Sequence, residues 1–286
     1  MLASICGTIL EFCIIKTQPM KTQVFVGFVI VMVLVACAKV PLTNRKQMNL
    51  LPESQLIAMS LTSYNEFLSQ NPPVAASDAD SRMVKNIGTR ISSSVNTYMG
   101  QNGFGDRIKG FKWDFNLVDS KEVNAWCMPG GKVVVYSGLL PVTKDEPGLA
   151  FVMGHEIAHA VARHGNERMS QMLMAQAGGI ALDVALANKP AETKALFMTA
   201  YGVGSQVGVM LPFSRMHETE ADKLGMIFMA MAGYDPSEAP KVWERMIAIN
   251  KGPKPPEILS THPGDKTRIE ALRKYVPAAM KYYKKK

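Results

Sequence analysis

The sequence is poor in the two residue types that build disulfide scaffolds and clustered metal sites. Among its 286 residues there are 4 cysteines and 5 histidines. The cysteines, at positions 6, 13, 37 and 127, show none of the paired spacings of a zinc or dithiol site, which excludes those classes. If Cys37 is lipidated and the two before it are removed with a leader, Cys127 is left alone, so no internal disulfide is expected.

Long hydrophobic runs are also missing after residue 36. The apolar stretch over residues 24–36 is uncharged but spans only 13 residues, whereas a membrane-crossing helix needs about 20. Its length suits the core of a secretory signal. Because no later stretch is long enough to cross a bilayer, we expect a folded part that is held at a membrane without crossing it.

The apolar run ends in Leu34-Val35-Ala36-Cys37, which resembles the bacterial lipoprotein signal. This resemblance implies that residues 1–36 are removed and that Cys37 carries a lipid anchor. Ala38 follows the cysteine in place of aspartate, which resembles proteins sorted to the outer membrane and facing the periplasm. Residues 1–19 look like an upstream extension, since Met20 alone would begin an ordinary signal. A plain signal peptide or an uncleaved anchor is the alternative.

The charge pattern does not indicate a nucleic-acid partner. The net charge is +8, and a good part of the excess lies in a basic tail over residues 281–286. No nucleic-acid-binding motif accompanies it, and a short basic tail is more typical of solvated charge or of attraction to anionic lipids. Between the signal and this tail, we expect a polar tether over residues 37–52 and one domain over residues 53–280.

The most informative stretch is residues 151–163, which is rich in alanine and unbranched apolar residues and contains no proline. This composition predicts a helix. His155 and His159 are four residues apart, so both imidazoles project from one face and can bind one metal ion. Glu156 follows the first histidine, where a carboxylate can act as general base on an attacking water without binding the metal.

A pair of structural histidines on an amphipathic helix is the competing interpretation of this stretch. The surrounding residues are strongly apolar, and charged side chains are costly in such a segment unless they have a use. The His-Glu-x-x-His spacing is also rare by chance in a chain with so few histidines. We therefore favour a zinc site over a structural pair.

A catalytic zinc site needs a third protein ligand, which should come from a separate element. The sequence predicts a second helix over residues 212–232, ended by Gly233. Glu218 and Asp222 are four residues apart on it and share one face. We assign Glu218 as the third ligand, with Asp222 accepting the free ring N–H of a metal-binding histidine.

Alternatives to this assignment stay open on the sequence alone. Glu218 could instead form a surface ion pair with Arg215, and His217 is a rival third ligand on the same helix. Glu220 is expected to point away from the site. His164 is expected to face elsewhere as a basic residue at a helix end.

Periodicity places these motifs in a mainly helical α+β fold. Alternating and β-branched residues predict strands that form a small antiparallel sheet beside the motif helix. Apolar spacing predicts amphipathic helices before and after the sheet. The strands are expected over residues 111–117, 123–128 and 132–136, and the other helices over residues 53–69, 80–99, 166–177, 236–250 and a C-terminal segment around residues 269–275.

Together these residues resemble the CAAX-prenyl-protease-type (HtpX-like) family of zinc metallopeptidases, in the branch of the periplasmic proteins LoiP and BepA. The resemblance covers roughly residues 40–276 and implies a zincin-type (gluzincin) fold with one zinc ion per chain. Both histidines and Glu218 are the implied ligands. The resemblance rests on three motifs: His155-Glu156-x-x-His159, Glu218-x-x-x-Asp222 after a Ser-Arg pair, and Thr261-His262-Pro263 with Arg268.

The same resemblance implies roles for residues outside the two helices. His262 would approach the site and, with Arg268, stabilise the oxyanion, or it would gate the metal by binding it in a latent state. Asn124, Ala125 and Trp126 would lie on an edge strand along the cleft. An extended substrate could then add to the sheet as one more strand.

On this basis we expect a zinc endopeptidase of the bacterial cell envelope that cleaves misfolded or unassembled envelope and outer-membrane proteins. The expected partners are unfolded or extended polypeptides, the membrane through the N-terminal lipid, and the outer-membrane assembly machinery. One alternative is a chaperone-like factor whose proteolysis is latent or secondary. Another is a structural lipoprotein whose metal only stabilises the fold, which is disfavoured because structural zinc sites normally have four protein ligands.

Overall fold

The computed structural model describes residues 37–206, 210–249 and 265–284. By internal contacts the chain divides into two units, residues 1–38 and residues 39–286. The predicted signal segment, residues 1–36, lies outside the described residues, as does the side chain of Cys37. Within the described ranges, no helix is both long enough and apolar enough to cross a bilayer.

The described residues form helices and two small sheets, consistent with the predicted mainly helical α+β class, which is confirmed. Short 3₁₀ turns at Gly105–Ile108 and Ser137–Leu139 connect some of the elements. The strands are β1 (Cys37–Lys39), β2 (Lys46–Met48), β3 (Asp114–Val118), β4 (Ala125–Met128) and β5 (Lys132–Tyr136), and the helices are α1 (Glu53–Gln70), α2 (Ala79–Gln101), α3 (Leu140–Thr143), α4 (Glu146–Val161), α5 (His164–Ala185), α6 (Ala191–Ser205), α7 (Leu211–Met231), α8 (Glu238–Ile249) and α9 (Asp265–Met280).

The main sheet contains three strands in the order β3-β5-β4. Strand β4 runs antiparallel to β5, and Gly130 and Gly131 between them adopt positive φ values of 90° and 83°, as a tight hairpin turn requires. Strand β3 runs parallel to β5. The sheet is therefore mixed and not purely antiparallel, because the chain passes from β3 to the far edge of the sheet before it returns through β5.

Helices α4 and α7 cross at the centre of the fold, where two glycines allow their backbones to touch. A Cβ atom on Gly225 of α7 would lie 2.7 Å from the backbone nitrogen of His155, and one on Gly154 of α4 would lie 2.9 Å from the Gly225 carbonyl oxygen. Glycine removes this obstacle. Around the crossing pack the main core side chains of α2, α4 and α7, among them Val84, Ile87, Ile91, Met153, Ile157, Leu224, Ile227 and Phe228.

The segment that the sequence predicts as a polar tether is packed into the fold over much of its length. Val40 is fully buried in the main core, and Gln47 is 1% exposed. Strands β1 and β2 form a two-stranded sheet, and Thr43 and Arg45 near its turn bond to acidic side chains of α5 and α7. Its polar side chains therefore make buried hydrogen bonds with other elements, which a reading of polarity alone does not reveal.

Helix α5 extends further than the sequence predicts, and α6 is not predicted by the sequence. The predicted helix ends at residue 177, before Gly178-Gly179, yet α5 continues to Ala185, and α6 follows as an antiparallel partner. The two helices contact each other through Tyr201, whose hydroxyl donates to the Ala175 carbonyl at 2.8 Å. Tertiary contact between the helices here outweighs the low helix propensity of glycine.

Candidate metal centre

Helix α4 presents both histidines of the motif on one face. It begins after Asp145, whose carboxylate accepts a hydrogen bond from the Gly148 N–H at 2.8 Å, with Pro147 in the first turn. Regular helix continues past the motif. His155 and His159 therefore project together, with ring centroids 4.7 Å apart.

Helix α7 brings Glu218 to the two imidazoles. The Nε2 atoms of His155 and His159 lie 3.1 Å apart, and the Glu218 carboxylate lies 3.5 Å from the first and 3.4 Å from the second. Zinc bound at about 2.0 Å to tetrahedral donors separates those donors by roughly 3.3 Å. The observed separations match, so these three residues fit a zinc ion. They form the group that the described part of the chain offers as a metal site.

The second ring nitrogen of His155 is held by Asp222. His155 Nδ1 lies 2.9 Å from Asp222 Oδ1. Because Nε2 must keep its lone pair for the metal, Nδ1 carries the proton and donates it to the carboxylate. Such a partner orients the ring and raises the basicity of the metal-binding nitrogen. The structure thus brings Asp222 to the contact that its spacing from Glu218 indicated.

Arg268 of α9 lies behind these carboxylates. Its Nε and Nη2 donate to Asp222 and its Nη1 donates to Glu218, each at 2.8 Å. The guanidinium carbon lies 3.8 Å from the centroid of the Trp243 ring. This use of all three nitrogens differs from the predicted contact with an oxyanion and makes Arg268 an orienting group for the carboxylates. His262, its predicted companion, lies outside the described residues, so its role stays a prediction.

The buried charges of this group favour a cation. Burial by itself lowers the pKa of His155, but the hydrogen bonds and charges of Asp222 and Glu218 outweigh burial and raise this pKa to about 10. Burial opposes the ionisation of Asp222, yet Arg268 and His155 lower its pKa. Burial and the charge of His155 lower the pKa of His159 to about 4. In the metal-free protein one imidazolium therefore provides the positive charge at this position.

The second ring nitrogen of His159 also has a partner, which sequence reasoning missed. His164 Nδ1 lies 2.9 Å from His159 Nδ1, and His164 Nε2 lies 3.1 Å from the Glu220 carboxylate. The expectation that His164 faces elsewhere is wrong, because Arg163 adopts a left-handed backbone with φ 58° that turns the chain back behind α4. Glu220, expected to point away from the site, is 4% exposed and joins this chain of contacts.

His217, the rival third ligand, does not face the metal donors. Its Nε2 lies 2.8 Å from Glu167 of α5, and its ring stacks on His164 with centroids 4.3 Å apart. A rotation of about 100° per residue along a helix separates it from Glu218. The structure therefore favours Glu218 over His217 as the third donor.

A cleft with a volume of about 480 Å³ opens beside the donor group. Glu156 lines this cleft together with His155, His159 and Glu218. The predicted general base and the three donors thus line the same cleft. Apolar side chains of β4, α4 and α8 and of the loop after β4 supply other parts of its wall, namely Cys127, Pro129, Phe151, Val152, Val242, Trp243 and Met246.

Strand β4 is an outer strand of the main sheet, and none of the described strands pairs with its second edge. Ala125 and Cys127 contact the main core, whereas Trp126 packs on the opposite face against Phe67, with ring centroids 5.0 Å apart. This alternation is the ordinary geometry of a strand. Cys127 therefore lines the cleft, while the Trp126 side chain lies under α1 and Asn124 immediately precedes the strand.

Comparison with known proteins matches this arrangement to a family. The model for "Peptidase family M48" matches residues 89–276, which include the donor group, Glu156, Asp222 and Arg268. The chain belongs to peptidase family M48. Its members are metallopeptidases that use zinc. The predicted enzyme class and cofactor are therefore confirmed at the level of the family.

This M48 chain is similar to curated relatives from eukaryotes and bacteria. It is 32% identical over 250 residues to "Mitochondrial metalloendopeptidase OMA1" of Schizosaccharomyces pombe, covering 84% of this chain and 66% of the relative. "Metalloendopeptidase OMA1, mitochondrial" of Homo sapiens is 31% identical over 250 residues, which cover 84% of this chain and 46% of the relative. "Beta-barrel assembly-enhancing protease" of Escherichia coli is 34% identical over 166 residues, which cover 56% of this chain and 33% of the relative. The chain thus spans about a third to two thirds of these relatives.

The comparisons correct the predicted localisation of this M48 chain. A bacterial outer-membrane lipoprotein facing the periplasm was expected, and this is wrong, because several matching relatives are mitochondrial OMA1 proteases. A short apolar run that ends in cysteine involves few positions and no tertiary constraint, so it is a weak basis for assigning a compartment. Assignment to the LoiP and BepA branch is not confirmed, since the S. pombe OMA1 relative matches 84% of the chain and the E. coli relative 56%.

Proposed function

We propose that this chain is a zinc-dependent endopeptidase that hydrolyses peptide bonds within extended or unfolded polypeptides. The observation that carries the proposal is the donor group of His155, His159 and Glu218, at separations that fit zinc, beside a cleft also lined by Glu156. Three protein ligands leave one coordination position for a reactant, as in catalytic zinc sites and unlike structural ones. The names of the OMA1 relatives agree with an endopeptidase.

Each residue at the cleft has a separate task in this proposal. When bound, zinc supplies a Lewis acid that polarises the scissile carbonyl and lowers the pKa of the attacking water. Glu156 accepts a proton from that water and returns it to the leaving amine. His155 is kept in the required tautomer by Asp222, and Arg268 holds the Glu218 and Asp222 carboxylates in place.

The walls of the cleft support the proposed substrate class. Strand β4 leaves one edge unpaired by any described strand, so an extended peptide can add to the sheet there through backbone hydrogen bonds. The facing wall on α8, with Val242, Trp243 and Met246, is apolar and suits hydrophobic side chains of that peptide. Folded proteins pair or protect most of their strands, which is why we propose unfolded or unassembled chains as substrates.

Replacing Glu156 by Gln tests the proposed chemistry. The substitution keeps the size of the side chain and removes the base, so we expect zinc to stay bound while cleavage of casein falls at least about 100-fold. Zinc content by metal analysis and casein digestion with and without a chelator measure both results. Cleavage at the parent rate by the Glu156→Gln protein would rule out this assignment of the base.

A second candidate is a factor that holds unfolded proteins and cleaves them only secondarily. The apolar wall of the cleft favours it, since such a wall can bind a chain without cutting it. The name of the E. coli relative refers to beta-barrel assembly, and by analogy we propose membrane proteins before assembly as clients. Suppression of client aggregation by the Glu156→Gln protein at the parent level would favour holding, whereas loss of client protection together with cleavage would favour the peptidase.

A further inference from the structure

Arg45, in the segment expected to be a tether, is inserted between two acidic side chains of different helices. Its Nη1 and Nη2 each donate to Glu167 of α5 at 2.7 Å. Its Nε and Nη2 each donate to Glu220 of α7 at 3.0 Å. Thr43 adds a hydroxyl hydrogen bond to Glu220 at 2.8 Å. A single guanidinium thus joins α5 to α7.

Both carboxylates are buried and both accept hydrogen bonds from this one guanidinium. Glu167 and Glu220 are 1% and 4% exposed. Glu167 also accepts a hydrogen bond from His217, and Glu220 accepts one from His164. A buried carboxylate that loses its cationic partner is strongly unfavourable. The positions of the two acids are therefore coupled to the presence of Arg45.

Glu220 connects this arginine to a metal-binding histidine. With the His159 lone pair on Nε2 kept for the metal, its Nδ1–H donates to His164 Nδ1. Because His164 accepts this hydrogen bond on Nδ1, its own ring proton lies on Nε2. Its Nε2–H then donates to Glu220, which also accepts from Arg45. Every donor in this chain of contacts faces an acceptor, so one arrangement of protons satisfies all of them.

The arrangement repeats the one around the other histidine of the site. His155 donates to Asp222, and Asp222 accepts from Arg268. His159 donates to His164, which donates to Glu220, which accepts from Arg45. Each metal-binding imidazole is therefore supported by a buried carboxylate with an arginine behind it. On the His159 side the imidazole of His164 lies between the metal-binding histidine and the carboxylate, and the arginine belongs to the N-terminal segment.

Two further contacts hold this segment against the site. Gln47 Nε2 donates to the Ala162 carbonyl at the end of α4 at 2.6 Å and to Glu167 at 3.1 Å. The turn that carries Arg45 contains Leu42 and Asn44 with positive φ values of 69° and 53°. Residues other than glycine rarely adopt this conformation unless surrounding contacts enforce it. The turn is thus held in one conformation by its contacts with the helices.

We infer that Arg45 is a positioning residue of the metal centre, which orients His159 and fixes its tautomer through Glu220 and His164. The inference rests on the proposed function, since it concerns the same donor group. Arg45 precedes residues 89–276, the range that the family model matches. The N-terminal segment is accordingly a part of the metal site, and its removal is expected to weaken zinc binding.

The test measures metal binding by the full-length protein and does not depend on catalysis. For Arg45→Gln we expect zinc affinity, measured by competition with a chromophoric chelator, to fall by about 10- to 100-fold. The visible absorption of the Co²⁺-substituted protein should change as well, because the orientation of one ligand changes. Arg45→Lys keeps the positive charge but not the planar guanidinium that donates to both carboxylates. This variant should recover part of the zinc affinity.

A matched control is Arg90→Gln. Arg90 of α2 is also partly buried and ties elements together, donating to the Ala232 carbonyl and to the Tyr234 hydroxyl, but it touches none of the metal donors or their partners. We expect this variant to keep the zinc affinity and the Co²⁺ spectrum of the parent. An equal loss in Arg90→Gln and Arg45→Gln would overturn the inference, because any buried arginine would then have the same effect.

A double-mutant cycle separates an effect of Arg45 that passes through Glu220 and His164, which we call the relay, from a general loss of structure. In a His164→Ala background the connection is already broken, so Arg45→Gln should cause no further loss of zinc affinity. The same loss in both backgrounds would contradict the inference. Should Arg45→Gln fail to fold, as judged by circular dichroism, Glu220→Gln tests the same relay without leaving an unpaired buried charge. Unchanged zinc binding and Co²⁺ spectrum in Glu220→Gln would also overturn it.

The outcome for the inference is distinguishable from that for the proposed function. A parent protein that binds no zinc, or a Glu156→Gln protein that cleaves at the parent rate, would reject the function itself. A parent that binds zinc and cleaves, with Arg45→Gln equal to it in zinc affinity and in Co²⁺ spectrum, would reject only the role of Arg45.

Discussion

At the scale of single residues, the charge on His155 determines how the metal-free site is held together. This imidazole lies between the carboxylates of Asp222 and Glu218, at 2.9 Å and 3.5 Å. Burial opposes its protonation, but the two carboxylates raise its pKa to about 10. The extra proton on His155 supplies the positive charge that a metal ion would otherwise supply. Zinc that binds at neutral pH must therefore displace this proton.

We expect the stability of the metal-free protein to decrease as the pH rises. His155 has a pKa of about 6.5 in an unfolded chain and about 10 in the folded, metal-free protein. A raised pKa stabilises the fold fully below the unfolded value and ceases to do so as the pH passes the folded value. The Tm of chelator-treated protein should therefore fall between about pH 7 and pH 10 more steeply than that of His155→Gln. Equal slopes for the two proteins would contradict this assignment.

At the scale of elements, the crossing of α4 and α7 sets the distances among the metal donors. The motif supplies two donors from α4, and the third comes from α7, some 60 positions later. What brings them together is the backbone contact between Gly154 and Gly225. An added methyl group would push the helices apart in a region that is packed on every side.

Gly225→Ala is therefore expected to lower both stability and zinc affinity. The new Cβ would lie 2.7 Å from the His155 backbone nitrogen, and overpacking of this kind costs about 1–3 kcal/mol. Gly202→Ala in α6 is the control, because its Cβ meets no atom within 4 Å and alanine favours a helix by about 1 kcal/mol. Urea unfolding and chelator competition measure both. A Gly225→Ala protein as stable as Gly202→Ala would show that the crossing tolerates separation.

The elements also show where sequence periodicity is informative. The α2, α4 and α7 helices and the β4–β5 hairpin have clear apolar patterns and a glycine turn, and they lie close to their expected positions. The α6 helix and the second half of α5 were not expected. Their residues are mostly apolar and small, with Ile180, Val184 and Leu196 exposed, so no single buried face marks them as helical.

At the scale of the whole molecule, a metal at the donor group links α4 to α7, two helices that are separated in the chain by the whole of α5 and α6. In the folded state the three donors lie within 4.8 Å of one another, whereas in an unfolded chain they are far apart. Zinc therefore binds the folded state in preference to the unfolded one, and binding energy becomes folding energy.

Removing zinc is accordingly expected to lower the Tm. Zinc present at about 1,000 times its Kd contributes about 4 kcal/mol, which corresponds to roughly 10 °C for a domain of this size. Thermal melts followed by circular dichroism, with and without chelator, measure the shift. Glu156→Gln should show the same shift as the parent and Glu218→Gln a smaller one. A full shift in Glu218→Gln would place the metal elsewhere.

The sequence by itself determined the residues with chemical function and the helices that carry them, because the His155–His159 and Glu218–Asp222 spacings are set by local helical geometry alone. It also indicated the family. Only the tertiary structure decided which groups besides Asp222 support the metal donors. Arg268, His164 and Arg45 reach the site from segments remote in sequence or across a left-handed turn, and no local periodicity encodes such contacts. The burial of Glu220 behind His164 is likewise a result of how the helices pack.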